Sequence, residues 1–242
     1  MIYYILETRG VVMNKKINNF MLFIGLFFMD LLYSSLVVAL LQIAGINIMK
    51  MSLSMKYMSL ILIDISFMLI LYFIYRKDIN NEFRSYFRNF KKYFSFGFKF
   101  WLLGLVLMIV SNLIIQHVYP VGASNEEAVQ ESLKMFPVYT VFASCIFAPF
   151  VEEVIFRKCL GKVFNNDILF IIVSGFLFGF AHTLASIGMG LNQMLYIIPY
   201  GLFGCVFAYM YRKTNNIFTS VMFHFIHNSI LVTLSLLSVG VI

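Results

Sequence analysis

The chain has 242 residues, of which 61% are hydrophobic and 18% aromatic, and its mean hydropathy is +0.88. Only 12% of the residues are charged, about half the share of a typical soluble domain, which excludes an ordinary soluble protein and favours a polytopic helical membrane protein. The net charge of +7 does not indicate nucleic-acid binding, because the cations lie in the gaps between apolar runs.

Apolar runs of membrane-spanning length recur along the chain, without internal repeats or strand-like alternation. A spanning helix needs about 20 apolar residues. We predict seven such helices, at residues 19–44, 57–75, 99–118, 136–158, 167–187, 193–211 and 216–240. The last segment is long enough to hold a break or a second short helix. The predicted fold class is therefore all-α, one membrane domain over residues 1–242 with seven to eight transmembrane helices.

The distribution of lysine and arginine predicts the orientation in the membrane. Fifteen of the 18 cations fall on the side of the N-terminus. The other side has Lys50, Lys56 and Lys134, together with an acidic loop that contains Glu126, Glu127 and Glu131. Because cytoplasmic loops carry an excess of cations, we expect a multi-pass cell-membrane protein with a cytoplasmic N-terminus.

Two polar segments are assigned from their charges. Residues 1–18 are expected to be a cytoplasmic tail, in which residues 1–12, before Met13, are either an upstream extension or a disordered terminus. Residues 76–99 interleave aromatic and cationic side chains. We expect this second segment to lie partly in the cytoplasmic interface, where anionic lipid is a nearer partner than nucleic acid.

Ionisable residues inside membrane spans are costly and are mostly functional. Asp30 and Asp64 stand alone in the first two spans and are interpreted as buried packing residues, with transport or a proton relay as the alternative. The later spans contain a larger group: Glu152, Glu153, His182, His224 and His227. The spacing within this later group predicts a site.

The sequence EEVIFR at 152–157 separates its two carboxylates. Glu153 and Arg157 are four residues apart, so they share a helix face and can form an ion pair. Glu152 is offset from Glu153 by about 100° around the helix axis. Glu152 can therefore face a cavity while Arg157 holds Glu153.

Two further motifs supply imidazole and amide groups. FGFAH places Phe178 and His182 on one helix face, and HFIHN places His224 and Asn228 on one face, with His227 close to it. At about 1.5 Å per residue, Glu152 and His224 lie about 15 and 13 Å from the cytoplasmic ends of their helices, whereas His182 is about 22 Å deep and needs a tilted helix. If the helices are neighbours, the motifs can meet near mid-bilayer, toward the cytoplasmic half.

Three kinds of site are compatible with these side chains. A carboxylate and an imidazole can activate water for peptide hydrolysis, and a second imidazole with an amide can bind the oxyanion. Glu152, His182 and His224 could instead bind zinc, although the HExxH pattern is absent. The third possibility is a network that only joins helices, with hydrogen bonds worth about 0.6–2 kcal/mol each.

The ordered patterns EExxxR, FxxxH and HxxxN, present here as EEVIFR, FGFAH and HFIHN, resemble those of the CPBP family. This family contains the type II CAAX prenyl endopeptidases and the bacteriocin-processing or immunity proteins called Abi. The resemblance covers about residues 137–230. It implies an intramembrane glutamate protease without a metal cofactor.

The resemblance also implies a role for each motif residue. Glu152 would activate a water that His182 holds, and His224 with Asn228 would stabilise the oxyanion. Glu153 and Arg157 would be the supporting pair, with Phe178 packed beside His182. His227 falls at a variable position of its motif, so the resemblance implies no role for it.

The substrate and the cellular role are expected from the same resemblance. We expect hydrolysis, near the cytoplasmic face of a bacterial plasma membrane, of a membrane-associated peptide or a lipid-anchored protein. The reaction would resemble that of CAAX-type proteases and of proteases that process bacteriocins or pheromones. Membrane lipids are the other expected partner, and no nucleic acid is expected. The alternative is a non-enzymatic bacteriocin-immunity or regulatory membrane protein that binds a peptide or a sensor partner.

Overall fold

The computed structural model of the protein describes the backbone of residues 2–238 and 240 and the side chains of residues 14–238 and 240. Within this part of the chain there are helices and no strands. Eight main helices follow in order: α1 (Ile2–Ile43), α2 (Leu53–Arg88), α3 (Phe90–Val118), α4 (Ser124–Met135), α5 (Pro137–Lys162), α6 (Asp167–Thr183), α7 (Ile197–Thr214) and α8 (Ile217–Ser238). Short turns at Ile48–Lys50, Leu184–Ser186 and Leu191–Met194 lie between them.

Seven helices within the described residues, all except α4, are long and apolar enough to cross a membrane. They correspond in order to the seven predicted spans, so the predicted all-α membrane bundle is confirmed. The last segment, which is long enough for a break or a second short helix, forms one continuous helix from Ile217 to Ser238.

Two segments outside the predicted spans are helical. The backbone of residues 2–18 continues α1, while the side chains of residues 1–13 lie outside the described part. Residues 76–99 form the end of α2 and the beginning of α3, which meet at Asn89. The cytoplasmic tail and the partly interfacial position of residues 76–99 remain predictions.

Helices α6 and α7 pack with their backbones in contact. A Cβ atom on Gly179 would lie 2.5 Å from the Ile197 carbonyl oxygen, and one on Gly175 would lie 2.7 Å from the Gly201 carbonyl oxygen. Small residues at four-residue spacing permit such close approach between membrane helices. This packing brings the motif on α6 next to the aromatic side chains of α7.

One end of the bundle is joined by charged groups that centre on Glu82 of α2. Lys158 of α5 forms an ion pair with Glu82. The other Glu82 carboxylate oxygen accepts a hydrogen bond from the Ile217 backbone N–H at the start of α8, 2.8 Å away. We call this end, with Glu82, Lys158 and Ile217, the basic end. The orientation prediction counted fifteen cations, and two of them, Arg157 and Lys158, are buried and form ion pairs inside the protein. The orientation itself remains a prediction.

The opposite end of the bundle is covered by α4, which lies in the segment that the sequence assigned to an acidic loop. The Ser124 backbone N–H donates to Gln193 Oε1 at 3.0 Å, and Gln193 Nε2 donates to the Gly122 carbonyl at 2.9 Å. Leu133 is buried against α5 and α8, whereas Glu127, Glu131 and Lys134 are exposed. We call α4 the cap helix and this end the cap end.

Candidate active site

Helix α5, which contains both motif carboxylates, is not a regular α-helix. Two wider, π-type stretches, Ala143–Phe147 and Val154–Cys159, flank the α-helical turn Ala148–Glu153. Such widened turns are rare and occur frequently at functional sites. Glu152 and Glu153 lie at the end of the α-helical turn between these stretches, about 100° apart around the helix axis, and face different neighbours.

Glu153 and Arg157 form a buried ion pair, as their spacing predicts. Arg157 Nε lies 3.0 Å from Glu153 Oε2, and both side chains are fully buried. The guanidinium also donates to Ser174 Oγ on α6 at 2.7 Å, and its carbon lies 4.9 Å from the centre of the Phe178 ring. The charge of Arg157 is therefore neutralised by Glu153, and its N–H groups donate to acceptors beside aromatic rings.

Glu152 points to the other side of α5. Its Oε2 atom lies 3.9 Å from His182 Nε2 and 3.8 Å from His224 Nε2. These distances are too long for direct hydrogen bonds, and Oε2 is a buried atom without a hydrogen-bond partner among the described residues. The three motifs are thus brought together around one carboxylate oxygen.

His182 is held by its own helix and by two aromatic rings. Its Nδ1 donates to the Phe178 carbonyl oxygen at 2.9 Å, so in the neutral ring Nε2 has a free lone pair toward Glu152. The imidazole lies between Phe178 and Tyr200, with ring centroids at 4.4 and 4.8 Å. Phe178 therefore occupies the packing position that the family resemblance implies, and Tyr200 is a neighbour that the motifs did not indicate.

His224 connects the two carboxylates of α5. Its Nδ1 donates to Glu153 Oε1 at 3.1 Å, while its Nε2 faces Glu152. Phe207 of α7 stacks on the ring, with centroids 4.9 Å apart. A carboxylate that accepts from Nδ1 fixes the orientation of the imidazole.

Asn228 is positioned by a proline in α5. In the first π-type stretch the Ala148 N–H bonds to the Ala143 carbonyl, so the next bond in that register would join Pro149 to Ser144. Proline has no N–H. The side-chain amide of Asn228 donates to the free Ser144 carbonyl instead, at 2.8 Å. One of its two amide protons is thereby used, and the other remains available to the cavity.

A cavity of about 320 Å³ extends from Glu152 to the cap helix. Polar side chains from five helices line it: Asn125, Glu126, Ser144, Glu152, His182, Tyr200, His224, His227 and Asn228. The remaining lining is largely apolar and aromatic. The cavity reaches the cap helix and not the basic end. If the N-terminus is cytoplasmic, the cavity therefore lies toward the extracytoplasmic side, whereas the sequence led us to expect hydrolysis near the cytoplasmic face.

Several polar residues of the cavity were not assigned a role from the sequence. Tyr200 donates from its hydroxyl to Glu126 Oε1 at 3.1 Å and accepts from Asn125 Nδ2 at 3.4 Å. His227 is buried against Phe203, with ring centroids at 4.2 Å. The i+3 position of His227 after His224 was the available signal for that residue.

The two carboxylates of the early spans lie outside this lining. Asp64 is buried and accepts a hydrogen bond from Ser34 Oγ at 3.0 Å. Asp30 is half-buried. Neither residue lines the cavity, and a role for either in transport or proton relay remains untested.

No group of three or more His, Cys, Asp and Glu side chains in the described residues is arranged to hold a metal ion. The alternative zinc ligands Glu152, His182 and His224 do converge, with Glu152 Oε2 at 3.9 Å from His182 Nε2 and 3.8 Å from His224 Nε2. Metal dependence therefore remains open to experiment.

Two curated bacterial proteins are similar to about half of the chain. A segment of 132 residues is 24% identical to "Putative membrane peptidase YdiL" of Bacillus subtilis, over 52% of this chain and 50% of that protein. A segment of 118 residues is 29% identical to "UPF0177 protein YaiH" of Lactococcus lactis, over 49% of this chain and 47% of that protein. The chain thus spans about half the length of these two relatives.

The family comparison covers the three motifs on α5, α6 and α8. No solved structure matches the chain significantly. Residues 134–230 match the family model described as "Type II CAAX prenyl endopeptidase Rce1-like". The resemblance predicted from EEVIFR, FGFAH and HFIHN is therefore confirmed: residues 134–230 are similar to the Rce1-like type II CAAX prenyl endopeptidases.

Proposed function

We propose that this protein is an intramembrane endopeptidase in which Glu152 activates a water molecule to hydrolyse a peptide bond. One observation carries the proposal: Glu152 Oε2 lies within 4 Å of two imidazole nitrogens, at the inner end of a cavity large enough for a peptide segment. The similarity of residues 134–230 to an endopeptidase family supports the same reaction class.

The first step is proton transfer from water to Glu152. The gaps between Glu152 Oε2 and the two imidazole nitrogens are suited to a water that bridges these groups. His182 Nε2 can accept one hydrogen bond from this water, while Glu152 takes the other proton as general base. The oxygen then attacks the substrate carbonyl carbon and forms a C–O bond.

The second step is collapse of the tetrahedral intermediate. Protonated His224, through Nε2–H, and the free amide proton of Asn228 can donate to the oxyanion, which is often the largest electrostatic contribution in acyl transfer. The C–N bond then breaks, and Glu152 returns its proton to the leaving amine. The products are a carboxylic acid and an amine, and Glu152 is regenerated as a carboxylate.

Glu153 and Arg157 act behind these groups. Glu153 accepts a hydrogen bond from His224 Nδ1–H and thereby holds the ring with Nε2 toward the oxyanion. Arg157 balances the Glu153 charge, so the pair supports His224 without adding a net charge to the protein interior. Neither side chain lines the cavity.

The proposed substrate is a membrane-associated peptide or a lipid-anchored protein in a bacterial plasma membrane. The bacterial relatives and the seven apolar helices support this setting. With a cytoplasmic N-terminus, the cavity would take its substrate from the cap end, which is the extracytoplasmic side. Hydrolysis would need no metal, so activity should survive a chelator; loss in chelator with recovery on added zinc would instead support Glu152, His182 and His224 as ligands.

A comparison of the cleaved peptides in cell membranes, between cells with the natural chain and cells with a variant, tests the proposal. Cells with the natural chain are compared with cells containing Glu152→Gln, which keeps the size of the side chain and removes the base. Glu131→Gln is the matched control, since Glu131 is exposed on α4. Cleaved peptides should disappear with Glu152→Gln alone. A phenotype that persists with Glu152→Gln would favour the non-enzymatic immunity or regulatory role.

A further inference from the structure

The cap-end half of the cavity contains a carboxylate that the proposed reaction does not use. Glu126, on the cap helix, lines the same cavity as Glu152. Its carboxylate accepts a hydrogen bond from the neutral Tyr200 hydroxyl at 3.1 Å. It forms no ion pair with a lysine or arginine of the described residues, and no such residue is found in the described lining of the cavity.

The Glu126 side chain is held in place by a defined set of contacts. Tyr200 accepts from Asn125 Nδ2 at 3.4 Å and donates to Glu126, so two successive cap-helix residues share one phenol group. The Tyr200 ring is in turn stacked on His182. Glu126 is therefore fixed at a set position relative to the proposed reaction centre.

A carboxylate with a single neutral donor, in a mostly apolar cavity, favours a positively charged group beside it. Glu126 is half-buried, so its carboxylate loses part of its hydration, and a cation beside it would compensate that loss. The cap helix is exposed on its outer face at Glu127, Glu131 and Lys134, which leaves this end of the cavity near water. A cationic group of a ligand can reach Glu126 from that side without crossing the apolar interior.

We propose that Glu126, oriented by Tyr200 and Asn125, is a subsite that binds an ammonium or guanidinium side chain of the peptide substrate. The inference rests on the proposed function, because it names the substrate class of the same cavity. The bound lysine or arginine lies on the cap side of the scissile bond. The apolar and aromatic lining accommodates the uncharged residues around it.

Binding of two matched peptides to the purified full chain tests this subsite. Both are fluorescent, end-blocked nonapeptides of leucine, alanine and serine; one has a central lysine and the other acetyl-lysine at that position. The chain carries Glu152→Gln, which prevents cleavage and leaves Glu126 as the one carboxylate among the described cavity residues.

The lysine peptide should bind about tenfold more tightly than the acetyl-lysine peptide, as expected for a charge-assisted contact in an apolar cavity. An added Glu126→Gln, which still accepts from Tyr200, should remove this difference. Glu131→Gln, the same change on the exposed face of α4, should keep it. A matched melting temperature shows that Glu126→Gln is folded.

Three results would overturn the subsite: equal binding of the two peptides, a lysine preference that survives Glu126→Gln, or no binding of either peptide. Cleavage by the natural chain is measured separately. Cleavage without a lysine preference would contradict the subsite alone, whereas a Glu126-dependent preference without cleavage would contradict the proposed function alone.

Discussion

Two neighbouring carboxylates of α5 have opposite surroundings. Glu153 is fully buried, paired with Arg157 and bonded to His224. Glu152 reaches the cavity and has an oxygen without a hydrogen-bond partner among the described residues. The same functional group, displaced by one residue, is thus a structural ion on one face and a candidate base on the other. The difference arises from helix geometry and not from residue chemistry.

The two faces should respond differently to loss of charge, and the largest effect is expected at Glu153. Glu153→Gln leaves Arg157 as an uncompensated buried cation, which should destabilise the protein by about 3–5 kcal/mol. Glu152→Gln should change stability by less than about 1 kcal/mol. Reversible unfolding in detergent measures both.

A double variant sharpens this comparison. Glu153→Leu with Arg157→Met removes both charges, and should recover much of the stability that Glu153→Gln loses. An equal loss of stability in Glu152→Gln and Glu153→Gln would contradict the assignment of the two faces.

On the cavity face, Asn228→Ala should lower kcat by about 10²-fold, because it removes one proposed oxyanion donor. It also leaves the Ser144 carbonyl without its side-chain donor. Thr233→Ala on the exposed side of α8 is the control. A change in KM with unaltered kcat would contradict the oxyanion role.

Packing of α6 on α7 positions His182 on the cavity face. Gly179→Ala would place a methyl group 2.5 Å from the Ile197 carbonyl, and should destabilise by about 1–3 kcal/mol as the helices move apart. Gly25→Ala on α1 is the matched control, because no described atom outside the nearby backbone of α1 lies within 4 Å of its added Cβ. Thermal unfolding compares the two, and equal behaviour would contradict the close packing.

The smallest expected effect concerns the connection between the cavity and the cap helix. Tyr200→Phe keeps the ring stacked on His182 but removes the hydrogen bond to Glu126, so it should cost about 0.5–1.5 kcal/mol of stability. Tyr200→Ala also removes the stacking on His182, and should lower the cleavage rate below that of Tyr200→Phe. Cleavage rates that are equal in the two variants would exclude a contribution of the stacked ring to His182.

The sequence predicted the parts of the structure that depend on local spacing. Apolar runs gave the seven spans, four-residue spacing gave the Glu153–Arg157 pair, and the helical offset separated Glu152 from Glu153. Their meeting with His182 and His224 required helices to be neighbours, which local spacing does not determine. The close glycine contacts hold α6, which contains His182, against α7.

Other features depend on groups that are distant in sequence. The acidic segment around Glu126 was read as a loop, so its contact with Tyr200, 74 residues later, was not predicted. Arg157 was counted as a marker of membrane orientation although it is buried. Cation counts report which helix ends face the cytoplasm, but not which end of the bundle contains the cavity.

Cleavage by the purified protein in lipid vesicles tests the central claim most directly. The substrate is a peptide found to depend on Glu152 in cells, and product formation is measured by mass spectrometry in the presence of a chelator. The account predicts cleavage by the natural chain and by Glu131→Gln, and no cleavage by a folded Glu152→Gln protein. Product formed by Glu152→Gln at the rate of the natural chain would contradict it.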